Sequence, residues 1–491
     1  MKTVTAMATA LMIPVGPVGT KHFIPGDKAM NYTKNGVENL KIAYIGGGSR
    51  GWAWTLMSDL ATADDLSGTV TLYDIDYEAA KCNEIIGGKF NTHEKSKSKF
   101  EYKACKTIDE ALSGANFVII SILPATLDEM HSDVHTPEKY GIYQSVGDTT
   151  GPGGIIRALR TLPMIEYIAK KISENCPDAW VINYTNPMTV ITATLYRVFP
   201  KIKAFGCCHE VFGTQKLLAY MLHTEYGYDK IKLQEIKCNV TGVNHFTWLT
   251  EAKYKNVDLF PLYKDFVDKY YYEGYNESAD DNWMTTDLLC ANRVKFELFR
   301  RYGYIAAAGD RHLAEFCEGS WFLKNPEQVK EWKFTLTTVD SRRDGEKKRL
   351  EKSAKLISGE MEPEIGDTGE EGVQQIRSLL GLCEMVTNVN IPNYGQIPNL
   401  PIGAVVETNA RFTSDTLTPI FTGNLPIEIY PLITRIVAEQ ELVIEAALER
   451  NLEKAFVAFM NNPLVNLSKE DARALFDEMI ENTKEYLKEY F

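Results

Sequence analysis

Lys41-Ile-Ala-Tyr-Ile-Gly-Gly-Gly-Ser-Arg-Gly51 is the stretch whose reading decides the fold. Residues 41–45 form a short apolar run of strand length. A glycine cluster follows, and then residues 52–61 at helical length, so the stretch reads as strand, turn and helix. Gly46, Gly48 and Gly51 stand in the G-x-G-x-x-G spacing. The first glycine permits a tight turn, the second lets backbone approach a pyrophosphate, and the third allows close helix packing. Backbone N–H groups of the loop and helix start, including those of Ser49 and Arg50, face the anion. Asp74 ends the next strand candidate, residues 69–73, where a carboxylate accepts from both ribose hydroxyls and repels a 2′-phosphate. The pattern therefore points to NAD rather than NADP. A glycine turn with an incidental strand-end aspartate would give the same letters.

Further strand candidates at 117–122 and Trp180–Asn183, with a helical stretch at 163–173 between them, continue the alternation. Alternating strands and helices imply a Rossmann-type, doubly wound parallel sheet. After about residue 200 the rhythm is lost. Residues 230–248 read as strand material, 292–301 and 427–459 as helices, and the charge-rich stretch 341–372 as a solvated helix and loop with no assigned function. The expected organisation is an extension at 1–40, an NAD-binding domain at 41–205 and an α+β domain at 206–491.

The chain has 491 residues, 44% hydrophobic and 24% charged, with a net charge of −13. That composition fits a folded α/β protein and argues against nucleic acid or an anionic membrane surface as partner. No run of about 18 apolar residues appears. The apolar N-terminal stretch is broken by Pro14 and Pro17 and reads as part of an extension rather than a secretion signal. Nine cysteines, an odd number in a long chain, argue against a disulfide framework and fit a reducing cytoplasm.

Three motifs carry chemistry. Asn183-Tyr-Thr-Asn-Pro-Met188 follows a strand at the edge where ligands of such folds bind, which makes Asn186 a substrate or nicotinamide contact or simply part of an Asn-Pro turn. Gly206-Cys-Cys-His-Glu210 and Gly242-Val-Asn-His-Phe246 offer Cys208 and His245. A thiolate and an imidazole could hold a divalent ion such as Mn²⁺ and leave positions for substrate oxygens. The same two residues also suit a buried hydrophobe and a hydrogen-bonded core histidine.

An ordered series of further motifs gives the sequence a family likeness. Ile-Gly-Gly-Gly-Ser (45–49), Leu-Tyr-Asp-Ile-Asp (72–76), Lys-Tyr-Gly (139–141) and Gly-Pro-Gly-Gly-Ile-Ile-Arg-Ala-Leu-Arg (151–160) open it. Asn-Pro-Met (186–188), Cys-His (208–209), Gly-Val-Asn-His (242–245), Asn-Leu-Pro (399–401) and Val-Val-Glu (405–407) complete it. In these the chain resembles glycoside hydrolase family four, the NAD- and Mn²⁺-dependent glycosidases that depart from two-carboxylate chemistry. Cys-His-Glu and Ala-Ala-Gly-Asp-Arg-His (307–312) look most like its α-galacturonidase branch.

The resemblance implies a second lobe like that of lactate and malate dehydrogenases and a homo-dimer or homo-tetramer. It places metal ligands at Cys208 and His245, the NAD site at Gly46, Gly48, Ser49, Arg50, Gly51 and Asp74, and substrate contacts at Asn186, Asp133, Arg157, Arg293, Arg311 and His312. Arg311 stands where relatives cutting other glycosides tend to carry an acid. Its planar fork suits a uronic carboxylate, although neighbouring Asp310 could simply pair with it.

The implied reaction oxidises C3 of the sugar, acidifies the C2 proton, eliminates the C1 leaving group, adds water and returns the hydride. Relatives carry the base at the position that Asn292 occupies here, and an amide cannot serve. Asp287 is the nearest carboxylate, equally readable as a helix N-terminal acid, and Tyr271 and Tyr272 are phenolic alternatives. Competing readings are an α-glucosidase, α-galactosidase or 6-phospho-glycosidase of the same family, an NAD-dependent 2-hydroxy-acid dehydrogenase, and a non-catalytic NAD-binding sensor.

Overall fold

The computed structural model describes residues 29–275, 290–366 and 368–491. Its strands are β1 (Asn31–Thr33), β2 (Gly36–Ile45), β3 (Leu66–Tyr73), β4 (Lys99–Cys105), β5 (Phe117–Ile120), β6 (Trp180–Asn183), β7 (Lys203–Gly206), β8 (Ile236–Val243), β9 (Phe246–Tyr254), β10 (Val257–Asp258), β11 (Ile305–Ala306), β12 (Met385–Pro392), β13 (Val405–Thr413) and β14 (Thr416–Pro419). Six of them run parallel in the order β4-β3-β2-β5-β6-β7. This is the doubly wound dinucleotide-binding order, with the first strand in the middle and a switch point beside it. Phe-Val-Ile-Ile of β5 is buried along its whole length, as a strand covered on both faces must be. Helices Gly151–Asn175, Met188–Val198 and Tyr430–Glu449 pack into one core cluster, while Trp52–Thr62 and Tyr77–Thr92 pack into another.

Four features differ from the expectations. The central strand starts at Gly36, inside the expected extension, because Val37 and Leu40 are buried and β1 folds back on β2. β4 reads as polar because lysines and a glutamate alternate with buried Phe100, Tyr102 and Ala104. The helix expected from Pro163 begins at Gly151, with Pro163 inside it. Gly153 and Gly154 are needed there because a Cβ would meet Asp133 O at 2.7 Å and Thr149 C at 2.5 Å. Finally, the division at 205 does not divide the sheet. β12 pairs antiparallel with β7 through Asn390 and Gly206, and β13 and β14 extend the edge. A second, four-stranded sheet contains β8 to β11. Among the described residues no helix is long and apolar enough to cross a membrane, and all nine cysteines are free.

Helix Tyr430–Glu449 carries a buried carboxyl, Glu439, which accepts from Asn462 Nδ2 at 3.0 and 2.9 Å. Burial pushes it up to about 8. The folded state therefore holds a proton that the unfolded chain releases near the ordinary carboxyl value. Stability contributed by that proton is full below about pH 4.5 and is lost as pH rises to about 8. Glu439→Gln should flatten the fall of unfolding free energy over that window by up to about 1.4 kcal/mol per pH unit, measured by urea titration. An unchanged slope would contradict this.

Candidate active site

The glycine loop leaves β2 at the carboxyl edge of the sheet. Gly46 has φ +94°, and a Cβ there would lie 1.9 Å from Ser121 O, so only glycine fits between the two strands. Gly48 N donates to Asp74 Oδ2 at 2.9 Å, which ties the loop to the end of β3. Asn83, which the sequence did not single out, pins the loop from below by donating to Gly47 O and Ser49 O at 2.8 and 2.9 Å. Helix Trp52–Thr62 starts at Gly51 with no side-chain cap. Its orphan N–H groups and positive dipole end suit a pyrophosphate.

A second cluster gathers beyond β7. Cys208 leads into helix Glu210–Tyr226, His245 lies in the β8–β9 turn, and His312 comes from helix Asp310–Glu315. The His245 and His312 rings are 4.1 Å apart. The Thr149 hydroxyl donates to Asp148 Oδ1 at 2.8 Å and stands 3.3 Å from His245 Nδ1. With its proton committed to Asp148, it can only accept from Nδ1–H, which leaves Nε2 of His245 with its lone pair.

Glu407 on β13 links the two segments that carry Cys208 and His245. It accepts from Asn244 Nδ2 at 3.0 Å and from Asn388 Nδ2 at 2.7 Å, and the Asn388 amide also reaches Cys208 O at 3.3 Å. Asn186–Pro187 and Asn244–His245 are cis peptides.

Burial governs the electrostatics of this cluster. It pushes the Cys208 thiol well above its usual value, helped by the Glu407 and Glu210 carboxyls. It lowers His245 to about 3 and also lowers His312, so both imidazoles are neutral. Burial opposes the charge on Asp148 too, but Arg157 and Arg342 beside it hold its carboxyl at about 2. Glu210 likewise stays below the carboxylate range against its burial, with Gly309 N–H donating to it at 2.7 Å.

Asn186 Oδ1, Asn244 Oδ1 and His312 Nδ1 are buried with no partner among the described residues. Buried polar atoms without a partner call for a ligand that completes them. Among the described residues no group of three or more His, Cys, Asp or Glu side chains is placed to hold a metal ion. A thiol and a neutral imidazole as the donors fit an open catalytic metal position rather than a structural one.

The expected substrate residues separate. Arg157 Nε donates to Asn186 O at 3.2 Å, which puts the two together. Arg311 and His312 share a helix beside the cluster, and Asp310 does not pair with Arg311. It accepts instead from Val294 N and Lys295 N at 3.2 and 3.1 Å, at the start of the preceding helix, Arg293–Tyr302. Asp133 is fully buried in a two-pronged pair with Arg160, at 3.0 and 2.5 Å. Arg293 lies over the Trp332 ring and donates from Nε to Tyr271 O at 3.0 Å. Asp287 lies outside the described residues. The Asn292 amide donates to Tyr275 O at 2.9 Å. Tyr271 donates its hydroxyl to Glu297, and Tyr272 is 74% exposed. Asp148, Glu210 and Glu407 received no role from the sequence, although Glu210 and Glu407 are letters of quoted motifs.

Residues 41–224 match the model of the family 4 glycosyl hydrolases, and residues 240–465 match the model of that family's C-terminal domain. A Thermoanaerobacterium saccharolyticum alpha-galacturonidase is 60% identical over 458 residues, 93% of this chain and 98% of its own length. The crystal structure of the Bacillus subtilis protein lplD has a TM-score of 0.85 and 49% identity, covering 90% of this chain and 100% of that one. A 6-phospho-alpha-glucosidase from gut microorganisms, solved in complex with NAD and Mn²⁺, has the same fold, with a TM-score of 0.76 and 20% identity over 91% of this chain and 99% of that one.

The Glu407 clamp is testable by itself. Glu407→Ala leaves two buried amides short of an acceptor and should cost about 1–3 kcal/mol of unfolding free energy. Combined with Asn388→Ala the loss should be clearly less than additive, as a double-mutant cycle reads it. Strict additivity would mean that the two side chains do not act together.

Proposed function

Because the chain belongs to glycosyl hydrolase family 4, we propose that it is an α-galacturonidase that uses NAD⁺ and a divalent metal, Mn²⁺ or a similar ion. The observation that carries the substrate reading is the 60% identity to an alpha-galacturonidase over nearly the whole chain. The cofactor reading is supported by the relative solved with NAD and Mn²⁺, and by a glycine loop and an orphaned polar cluster that fit those groups.

Bound NAD⁺ would supply a reversible hydride acceptor, and the metal would polarise neighbouring oxygens of the sugar. The chain's own residues then have defined tasks. The backbone of Gly46, Gly48, Ser49, Arg50 and Gly51 binds the pyrophosphate, and Asp74 accepts from the ribose hydroxyls. Cys208, as thiolate, and His245, through the Nε2 lone pair that Thr149 keeps free, hold the metal. Asn186 offers its unpartnered Oδ1 to a sugar hydroxyl, and Arg157 fixes the Asn186 carbonyl from behind. Arg311 binds the uronic carboxylate, with His312 beside it. Asp133, through Arg160, and Arg293, at the head of its helix, position the surrounding backbone. Asp287 removes the C2 proton.

An assay against α-galacturonide, α-glucoside, α-galactoside and 6-phosphoglucoside, with NAD⁺, Mn²⁺ and reductant, tests the reading. Only the galacturonide should be cleaved efficiently, with NAD⁺ acting catalytically and chelator abolishing turnover. Cleavage of a 6-phosphoglucoside, or NADH formed in step with product, would contradict it. Cys208→Ser and His245→Ala should each lower metal-dependent turnover by on the order of a hundredfold or more while NAD⁺ binding is kept. Asp74→Ala should instead weaken NAD⁺ binding by about 1–3 kcal/mol, and unchanged affinity would remove Asp74 from that site.

A further inference from the structure

The stretch 341–372 reads from sequence as solvated charge, yet its second residue turns inward. Arg342 lies in the first turn of helix Val339–Ser358. It donates from Nη2 to Val146 O at 2.7 Å, and its Nε is buried with no partner among the described residues. Val146 belongs to the loop that carries Asp148 and Thr149 to His245. The same loop holds Arg311: Ser145 Oγ donates to Arg311 O at 2.5 Å, Thr337 N donates to Ser145 O at 2.8 Å, and Arg311 Nη1 donates to Thr337 Oγ1. Two guanidinium groups are thus mounted on one short loop, close enough that Arg342 disfavours the charge on Arg311.

Neither of these two groups, nor Arg157 close by, makes an ion pair within 4 Å among the described residues, although Arg157 and Arg311 are only 5% and 7% exposed. The carboxyls around them do not balance the charge. Asp148 faces Arg157 and Arg342, and Glu210 faces Arg311. Asp133, which also lies near Arg157, is already paired with Arg160, and Glu315 accepts from Val146 N and Gly147 N at 2.7 and 2.9 Å and is held neutral by burial at neutral pH. Three guanidinium groups therefore face two carboxylates. A buried positive charge without a partner is costly, and a planar anion that fits two forks would relieve the imbalance.

We infer that Arg342 is the second arm of a carboxylate subsite and that, with Arg311, it clasps the C6 carboxylate of the uronic sugar. This deepens the α-galacturonidase reading and rests on it. The unpartnered Nε of Arg342 is the donor that the carboxylate would complete, and the bond to Val146 O fixes the plane of the fork.

The test uses the full chain with NAD⁺ and Mn²⁺ and three substrates: 4-nitrophenyl α-galacturonide, its C6 methyl ester and 4-nitrophenyl α-galactoside. The wild-type enzyme should prefer the acid to the ester. Arg342→Gln should lower the acid-to-ester ratio of kcat/KM by about tenfold to a hundredfold, the effect of one hydrogen bond to a charged group. Arg342→Lys should recover part of that ratio, and it reads the same ratio if the glutamine variant folds poorly. Equal losses on acid and ester would overturn the subsite and leave Arg342 a prop for the loop. A matching loss of NAD⁺ affinity would overturn it as well. A wild-type enzyme that cleaves the ester or the galactoside as well as the acid would remove both the galacturonidase reading and this subsite.

Discussion

A carboxylate enclosed between two sheets sets the geometry on which the site depends. Glu407 sits on a strand from the last quarter of the chain, yet it holds the amide beside His245 and the amide that reaches the Cys208 carbonyl. The proposed metal ligands come from the end of a parallel strand and from a turn in a different sheet, and no local sequence preference could bring them together. The antiparallel addition of β12 and β13 to the edge of the dinucleotide-binding sheet does so. A fault at Glu407 would reach both ligands at once, because its two oxygens are committed to different segments.

Around that clamp, burial keeps the reactive groups neutral until a charged ligand arrives. Burial favours the protonated Cys208 thiol and the uncharged imidazoles, so coordination of a cation through sulfur requires the thiol proton to leave. On the other side of the cluster the balance is reversed, with guanidinium groups outnumbering carboxylates. Under the proposed function, such a site would take a metal and an anionic sugar as mutually reinforcing guests, since each would supply the charge that the other side lacks.

Much of the sheet was legible in the sequence because its central strands are short apolar runs with glycine or turn residues at their ends. Residues 41–51 and Trp180–Asn183 show this most clearly. What escaped had physical reasons. β4 alternates lysine and glutamate with buried aromatics, so its mean polarity hides it. The start of helix Gly151–Asn175 is written in glycine and proline, which normally mark loops, and only the close approach of the Asp133 and Thr149 backbone explains them. The pairing of β12 with β7 joins residues far apart in the chain. In the site, Cys208 and His245 could be picked out from their motifs, and the structure brings their segments together. Glu407 was visible only as a letter in a motif. Arg342 was masked by the exposed charges around it, because composition cannot tell one inward-facing arginine from its solvated neighbours.

The central claim is that these residues serve an elimination and addition reaction rather than direct displacement at the anomeric carbon. Hydrolysis of an α-galacturonide in D₂O, followed by NMR of the released galacturonic acid, tests it most directly. The account predicts deuterium at C2, because that proton must leave to a base that exchanges with solvent before water adds at C1. Released sugar that keeps its C2 proton throughout would contradict the account.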